Sequence, residues 1–242
     1  MKENSDSRSL FRFKQFSLEN NVAGLKIGTD GVLLGAWAQP GESLSIWDIG
    51  TGTGVIALML AQRSDAVITG FEIDPHAASV AASNFRNSPW ADRMKIIEGD
   101  AVEMTKNLDP ADIIISNPPY YTADGAIPAK GQQRDMARRN SRLSFKNVIE
   151  IAAHKLSPTG SLFLVSPESS RSTIEWEAAI NDLKLRRLTS VRTKTTASPT
   201  RLLWHFSRLG GPLLTDSLAI RTGEGDYSPE YISLTKDYYL QF

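Results

Sequence analysis

Short apolar runs alternate with amphipathic stretches through about residue 183 of the chain, and this alternation is the main structural signal. Five apolar runs predict buried strands at 43–50, 66–74, 94–100, 111–119 and 160–167. The stretches between them predict helices at 54–63, 75–87, 144–156 and 172–185. Pro75 suits a first helical turn, and Ser144 suits an N-cap. Strands that alternate with helices indicate a doubly wound parallel sheet.

The two ends of the chain have a different pattern. In residues 9–21, three phenylalanines alternate with basic residues, which predicts a strand or one arm of a hairpin. A short helix is expected at 29–38, with Thr29 or Asp30 as its N-cap. Three strand-like segments without helices between them complete the chain, at 186–194, 201–209 and 212–221. We therefore expect an α/β fold: a doubly wound, seven-stranded, mostly parallel sheet with an antiparallel C-terminal edge and a short N-terminal β-hairpin extension.

Composition excludes several classes of protein. The 242 residues are 41% hydrophobic and 22% charged, which is ordinary for a globular protein with a core. No apolar run approaches the roughly 20 residues that span a bilayer, and the first residues lack a secretory signal, so we expect a cytoplasmic protein. Cysteine is absent, which excludes disulfides and a cysteine nucleophile. The three histidines are scattered, so no metal site is expected.

Charge is balanced overall but uneven along the chain, with 27 basic and 27 acidic residues. One basic run contains a single acid, Asp135, and consists of Lys130, Arg134, Arg138, Arg139, Arg142 and Lys146. A second run contains no acid and consists of Lys184, Arg186, Arg187, Arg192, Lys194 and Arg201. Two such runs in a neutral chain indicate an anionic partner. The first lies largely in the long polar segment 122–143, which is typical of a functional loop.

The sequence DIGTGTG at 48–54 predicts a tight, ligand-binding turn after the first central strand, with Gly50, Gly52 and Gly54 at alternate positions. Asp48 precedes these glycines, and Glu72 and Asp100 end the next two strands. Carboxyl ends of adjacent parallel strands meet at one edge, where such folds bind ligands. Three carboxylates suit an adenosine that carries a cationic sulfonium better than a ligand with phosphates. This pattern favours S-adenosylmethionine over NAD.

The sequence NPPY follows the fourth apolar run and predicts a stiff loop at the same edge. The side-chain oxygen of Asn117 and the carbonyl oxygen of Pro118 can accept both hydrogens of a planar exocyclic amine. Pro119 keeps the two acceptors fixed, and Tyr120 offers a flat face for stacking on a planar substrate. This arrangement would make the nitrogen lone pair available for attack on a methyl group, without a histidine base. These four residues are the candidate catalytic residues, and Tyr121 has no assigned role.

Together, NPPY and DIGTGTG resemble the class I methyltransferases that modify planar nitrogens, such as adenine N6, cytosine N4 and glutamine. The segments FRFKQF, GTDGVLLGAWA, NPPYY and YSPEYISLTKDYYLQF are similar to one family, and the likeness runs from about Ser9 to Phe242. It is the family of bacterial tRNA1(Val) (adenine-37-N6)-methyltransferases. One departure is the run ARRNSRLSF, where the family tends to have ARHE.

This resemblance implies a Rossmann-like class I methyltransferase domain over 1–242, with 1–40 as an extension that caps the cofactor site and 41–242 as the catalytic core. It implies that 28–31 folds over the cofactor and that LTKDYYL packs near the catalytic face. The expected cofactor-binding residues are Thr29, Asp30, Asp48, Gly50, Gly52, Gly54, Glu72, Ile73, Asp100, Ala101 and Asn117.

The implied reaction methylates N6 of adenine-37 in tRNA, with the base flipped into the NPPY pocket. The expected RNA-binding residues, which would contact phosphates beside the anticodon loop, are Lys130, Arg134, Arg138, Arg139 and Arg142. The second basic run would hold the stem. We expect no membrane and no metal as partners, and a monomer or a weak dimer.

Three alternatives stay open. A glutamine N5-methyltransferase acting on protein uses the same chemistry, although only about 40 residues precede the glycine loop, which is short for the helical domain such enzymes carry. An N6-adenine methyltransferase acting on rRNA or DNA is a second alternative, although no target-recognition domain is evident. The third is a non-catalytic RNA-binding module that has kept a cofactor fold.

Overall fold

An eight-stranded sheet forms the centre of the computed structural model, which describes residues 10–19, 27–119 and 143–242. The strands of the described chain are β1 (Leu10–Arg12), β2 (Ser17–Glu19), β3 (Ser45–Ile49), β4 (Val67–Glu72), β5 (Met94–Glu98), β6 (Ala111–Ser116), β7 (Leu156–Pro167), β8 (Lys184–Lys194), β9 (Pro199–Ser207) and β10 (Leu214–Arg221). Its α-helices are α1 (Thr29–Trp37), α2 (Val55–Ala61), α3 (Pro75–Arg86), α4 (Ala101–Met104), α5 (Phe145–Lys155), α6 (Arg171–Ile180) and α7 (Pro229–Thr235). Strands β1 and β2 form a separate hairpin, as predicted.

The order of the strands across the sheet is β10-β8-β9-β7-β6-β3-β4-β5. In this sheet β9 alone runs antiparallel to its neighbours, β7 and β8. The prediction of seven strands was one short, because β10 joins outside β8 and pairs with it in parallel. Since β7 and β8 occupy both edges of β9, the chain that leaves β9 cannot pair with it again, and β10 extends the sheet beyond β8 instead. The antiparallel strand therefore lies inside the sheet rather than at its edge.

Helices cover both faces of the sheet, which confirms the doubly wound arrangement. On one face α1, α2, α3 and α7 pack with the β1–β2 hairpin, through residues such as Leu34, Leu58 and Phe85. On the other face α5 and α6 pack through Val148 and Ile174. Because the central strands are buried on both faces, they read in the sequence as continuous apolar runs.

The β1–β2 hairpin is held by residues close to the last position of the chain. The Lys14 ammonium donates to the carbonyl oxygens of Lys236 (2.7 Å) and Phe242 (2.6 Å). The Phe13 ring stacks on Phe16 and Tyr239, at centroid distances of 4.7 and 5.8 Å. The segment LTKDYYL therefore packs on this hairpin, and the Tyr238 hydroxyl adds a bond to the Met59 carbonyl of α2.

The starts of the helices agree with the predictions except at α1. Pro75 is the first residue of α3, and Ser144 caps α5 through a reciprocal capping box with Asn147. The N-cap of α1 is Gly28, without a side-chain cap, so the prediction of Thr29 or Asp30 was wrong by one or two residues. The reason is tertiary, because the Asp30 carboxylate pairs with Arg201 instead of folding back on its own helix.

We expect Ser144→Ala to lower the free energy of unfolding by about 1 kcal/mol, because the first turn of α5 loses a capping bond. In the protein the Asn147 amide donates to the Ser144 hydroxyl at 3.2 Å. Thermal unfolding followed by circular dichroism should show a melting temperature lower by roughly 2–4 °C. The exposed Ser172, inside α6, provides the control, and Ser172→Ala should stay within about 0.5 kcal/mol. Equal effects of the two changes would contradict the capping role.

Candidate active site

The loops after β3 and β6 leave the same edge of the sheet from its two central strands. From β3 the chain continues to β4 and β5 on one side, and β6 then starts the other half of the sheet. Such a reversal opens a crevice at the carboxyl ends of the strands. The Ser116 hydroxyl at the end of β6 donates to the Ile49 carbonyl at the end of β3 (2.6 Å). The glycine loop and the Asn117 loop therefore start from points fixed to each other.

The glycine loop turns back onto the end of β4. The amides of Gly50 and Thr51 both donate to the Phe71 carbonyl, at 2.9 and 3.0 Å. Gly50 has a φ of +73°, a backbone conformation that residues other than glycine rarely adopt. A Cβ at this position would also lie 2.9 Å from Cδ2 of Leu143. Leu143, which the sequence analysis did not single out, thus lies against the loop at the start of α5.

Gly54 ends the loop in a packed position. Its φ is +86°, and it serves as the N-cap of α2. A Cβ there would lie 2.5 Å from the Phe85 ring of α3, so a larger residue would separate α2 from α3. Gly54 therefore determines where α2 begins, and its contact is with a neighbouring helix.

Asp48 lies beneath the glycine loop and is fully buried. Its Oδ2 accepts hydrogen bonds from the Thr51 hydroxyl (2.6 Å) and from the Ala57 amide of α2 (3.2 Å). Its Oδ1 is buried and has no hydrogen-bond partner among the described residues. Burial raises the pKa of Asp48 to about 7, partly offset by these two bonds. An unpaired acceptor under the loop suits a ligand that brings positive charge.

Glu72 closes the loop from the end of β4. Its two carboxylate oxygens accept from the amides of Gly52 (2.9 Å) and Asp74 (3.0 Å). Burial raises the pKa of Glu72 above its ordinary value, although these amides oppose the shift. Each carboxylate oxygen can accept a second hydrogen bond, so a diol can still be bound. The neighbouring Ile73 is 37% exposed and offers an apolar surface at the same edge.

Asp100 has a structural bond of its own at the end of β5. Its side chain caps α4 by accepting from the Val102 amide at 3.0 Å, and Ala101 is the first, buried residue of that helix. Asp48, Glu72 and Asp100 therefore lie at the ends of three adjacent strands, as the sequence predicted. Their described hydrogen-bond partners are backbone amides and one hydroxyl, so this edge is acidic. These carboxylate acceptors fit the hydroxyl groups and the sulfonium charge of S-adenosylmethionine better than they fit a phosphate-bearing cofactor.

The Asn117 loop begins directly after β6. Pro118 is buried, while Asn117 and Pro119 are partly exposed. A Cβ on Gly31 of α1 would lie 3.9 Å from Nδ2 of Asn117, so the first turn of α1 approaches this loop. Tyr120 and Tyr121 lie outside the described residues.

The first turn of α1 faces the start of β9 as well as the Asn117 loop. Thr29 is exposed, and the Asp30 Oδ2 accepts from Nε of Arg201 at 2.9 Å. The Asp30 carboxylate is thus engaged with the β9 side of the crevice, away from the glycine loop. The expected role of Thr29 and Asp30 in cofactor binding stays a prediction.

The two basic runs differ in how much of each lies among the described residues. In the first run Lys130, Arg134, Arg138, Arg139 and Arg142 lie outside the described residues. The second run follows β8 and continues into β9. Arg187 pairs with Asp216 (2.6 Å) and lies over the Trp37 ring (4.8 Å), so part of this run is used inside the molecule.

One connection joins the hairpin to the glycine loop and was missed by the sequence analysis. Asn84 is buried in α3, where its Nδ2 donates to the Thr53 carbonyl (2.9 Å) and its Oδ1 accepts from the Glu19 amide (2.7 Å). The signal was present, because Asn84 continues the apolar stripe of Ala77 and Val80 at helical spacing. A polar residue in such a stripe indicates a specific buried partner.

None of the helices in the described part of the chain combines the length and the apolarity that a bilayer span requires. In the same part of the chain, no three metal-ligating side chains are grouped as they would be around an ion.

Comparison with known proteins gives matches that span the chain. The profile of the family described as "Methyltransferase small domain" matches residues 23–183. Three curated relatives carry the name tRNA1(Val) (adenine(37)-N6)-methyltransferase. The Bacteroides thetaiotaomicron protein is 39% identical over 232 residues, which is 95% of this chain and 97% of that protein. The Porphyromonas gingivalis protein is 41% identical over 243 residues (95% and 94%), and the Haemophilus influenzae protein is 38% identical over 237 residues (97% and 100%).

Solved structures agree with the fold. A protein described as a predicted O-methyltransferase from Agrobacterium tumefaciens superimposes with a TM-score of 0.66 at 20% identity, covering 86% of this chain and 96% of that one. Precorrin-6y C5,15-methyltransferase from Geobacter metallireducens gives a TM-score of 0.52 at 13% identity, covering 79% and 94%. At these identities the likeness concerns the fold alone, which is that of S-adenosylmethionine-dependent class I methyltransferases.

We expect the ligand-free protein to lose stability, relative to an Asp48→Asn variant, as the pH rises from about 4 to about 7. The pKa of Asp48 is raised to about 7 on folding, so the protonated form is favoured in the folded state and ionisation is costly there. The relative loss should be roughly 2–4 kcal/mol, since one pKa unit corresponds to about 1.4 kcal/mol. Urea unfolding across this pH range measures it.

The difference between the two proteins is the relevant quantity, because Glu72 shifts in the same direction in both. The exposed Asp65 gives the matched control, and Asp65→Asn should keep the wild-type pH dependence. Parallel curves for wild type and Asp48→Asn would show that Asp48 is not a buried titrating group.

Proposed function

Because the chain belongs to the family of tRNA1(Val) (adenine(37)-N6)-methyltransferases, we propose that it methylates N6 of an adenine in tRNA, and specifically adenine-37 of tRNA1(Val). The observation that carries this proposal is end-to-end identity of 38–41% with curated members of that name. The NPPY loop at the central reversal of the sheet supports the same reaction. It is the kind of loop that can bind the amine of a planar base.

S-adenosylmethionine, the cofactor of this family, supplies an electrophilic methyl carbon when it is bound. Its adenosine and amino acid parts would be held by the acidic edge: Gly50 and Gly52 allow close approach of the backbone, Glu72 accepts from the ribose, and Ile73 provides an apolar wall. The unpaired Oδ1 of Asp48 lies beneath the glycine loop, and its charge would attract the positive sulfonium of the bound cofactor.

The NPPY residues bind the target base. The Asn117 side-chain oxygen and the Pro118 carbonyl oxygen accept the two hydrogens of the exocyclic amine, and Tyr120 stacks on the ring. With both hydrogens held, the nitrogen lone pair points out of the base plane, where it can attack. The nitrogen lone pair would form the new bond to the methyl carbon while the bond from that carbon to the cofactor's sulfur breaks and its electron pair stays on sulfur. The surplus proton would leave N6 toward these acceptors and solvent. Burial of Pro118 and the Ser116–Ile49 hydrogen bond keep the acceptors in place.

The remaining assignments concern RNA and the architecture of the domain. Lys130, Arg134, Arg138, Arg139 and Arg142 would contact phosphates beside the anticodon loop. The whole chain would act as one domain in the cytoplasm, with 1–40 capping the cofactor site. The Asn84 bridge between Glu19 and Thr53 supports that cap, since it ties the hairpin to the glycine loop.

The direct test is incubation of the purified protein with methyl-labelled S-adenosylmethionine and a tRNA1(Val) transcript, followed by nucleoside analysis. We expect N6-methyladenosine as the product, with about one methyl group per tRNA. The control is the same transcript with guanine at position 37, which should remain unlabelled. Label in another nucleoside, or in the control transcript, would overturn the proposed substrate.

A second test separates chemistry from cofactor binding. We expect Asn117→Ala to reduce kcat on the order of 100-fold or more, because one of the two acceptors for the amine is lost. Cofactor affinity, measured by calorimetry, should stay within roughly threefold of wild type. Asn107, exposed in the turn after α4, is the control, and Asn107→Ala should leave kcat unchanged. Parallel loss of binding and turnover in Asn117→Ala would assign this loop a structural role only.

A further inference from the structure

The basic residues of β8 and β9 are divided between the two ends of these strands, one at the active-site side of the sheet and one at the opposite side. Lys184 is the first residue of β8, and Lys194 is the last. Arg201 in β9 lies opposite Val191 of β8 and opposite Pro167, the last residue of β7. Because β7 runs parallel to β6, its last residue lies at the edge from which the Asn117 loop leaves. The Lys194 end of the run therefore lies at the active-site edge, and the Lys184 end lies at the opposite one.

Intramolecular contacts engage the charges at the Lys184 end. Lys184 pairs with Asp182, and Arg187 pairs with Asp216. Arg186 donates to the carbonyl oxygens of Leu209 and Gly210. These residues hold the β9–β10 connection and the outer strand, so they stabilise the sheet.

The other end, which we call the β8–β9 tip, is exposed and rich in cations and hydroxyl groups. Its residues are Arg192, Thr193, Lys194, Thr195, Thr196, Ser198 and Thr200, and most of them are exposed. Among the described residues, neither Arg192 nor Lys194 forms an ion pair, and Nε of Arg192 is buried without a hydrogen-bond partner. Arg, Lys, Ser and Thr are the side chains that commonly contact phosphate and sugar groups of nucleic acids.

Arg201 connects this tip to the crevice. Its side chain is 35% exposed, and its guanidinium is held from two sides, by Asp30 Oδ2 on Nε and by the Thr200 carbonyl on Nη1 (both 2.9 Å). Asp30 in turn precedes Gly31, which lies beside the Asn117 side chain. Arg201 is therefore fixed on the side of the crevice opposite the glycine loop.

We propose that the β8–β9 tip, with Arg201 at its inner end, binds backbone phosphates of the RNA strand next to the target base. This inference rests on the proposed function and specifies where its substrate lies. Three strand spacings separate β6 from β8, or about 14 Å. Stacked nucleotides of one strand advance about 3.4 Å each, so the tip lies within about four nucleotides of the pocket. That distance matches the nucleotides that flank a flipped base in a single-stranded loop.

An acidic turn marks the outer limit of this surface. After β10, the exposed Glu224 and Asp226 lie close to the tip, since the Thr195 amide donates to the Arg221 carbonyl and a Cβ on Gly223 would lie 3.8 Å from Oγ1 of Thr195. Phosphates would be repelled there. The RNA strand therefore lies over the β9 side of the tip, where Arg201 is.

The test compares two exposed lysines at the two ends of one strand, Lys194→Gln and Lys184→Gln. Each removes one positive charge, so a general field effect would be the same. We expect Lys194→Gln to weaken binding of tRNA roughly 3- to 10-fold and to raise KM, with kcat and cofactor affinity unchanged. The slope of log affinity against log salt should fall by roughly 0.7–0.9, the value for one lost phosphate contact. Lys184→Gln should match wild type in all five measurements.

Equal behaviour of the two lysine variants, whether both are weakened or both are unaffected, would overturn the inference. Arg201→Gln extends the test, and we expect a reduced salt slope from this variant as well. A lower melting temperature with an unchanged slope would overturn the role of Arg201, and would make its pair with Asp30 purely structural. A wild-type protein that fails to methylate tRNA would instead contradict the proposed function. Wild-type methylation with an unaltered Lys194→Gln variant contradicts this inference alone.

Discussion

The hydrogen bond from the Ser116 hydroxyl to the Ile49 carbonyl joins the two strands on which the site depends. Parallel pairing of β3 and β6 brings their carboxyl ends together, and this buried bond fixes the last residues of both. In the proposed reaction, one loop would bind the methyl donor and the other the methyl acceptor. Since the reaction requires its two partners at a defined distance, the sheet itself supplies the alignment, and the loops supply only the chemistry.

The same junction contains a buried polar group that lowers stability. A fully buried carboxylate with one unpaired oxygen lowers stability, yet Asp48 also holds Thr51 and the first turn of α2 by its other oxygen. This combination is typical of functional sites, in which local stability is lower because the groups that bind the ligand are already oriented in its absence. A cationic ligand above the loop would compensate the cost.

The sequence was most informative where local pattern and tertiary structure agree. The apolar runs predicted the parallel strands because both faces of these strands are buried, and the alternating glycines predicted the turn because Gly50 and Gly54 need positive φ. The N-cap of α1 and the bonds of Asp30 and Asn84 could not be derived in this way, because each depends on a partner more than 60 residues away. The segment 212–221 was predicted to be strand-like, but its place in the sheet as an eighth strand was missed, because that place depends on which edges β9 had already used. The contacts of Tyr120 and of the first basic run stay predictions.

The contact of Lys14 with the Phe242 carbonyl has a consequence for biosynthesis, since it spans 228 residues. Contacts of such sequence separation form late, after the elements between them have been made. The hairpin can therefore pack on Tyr238 and Tyr239 only after all eight strands of the sheet have been synthesised, so the first strands of the described chain are among the last to reach their final contacts. A chain cut before α7 would keep every strand of the sheet and leave the hairpin without these contacts.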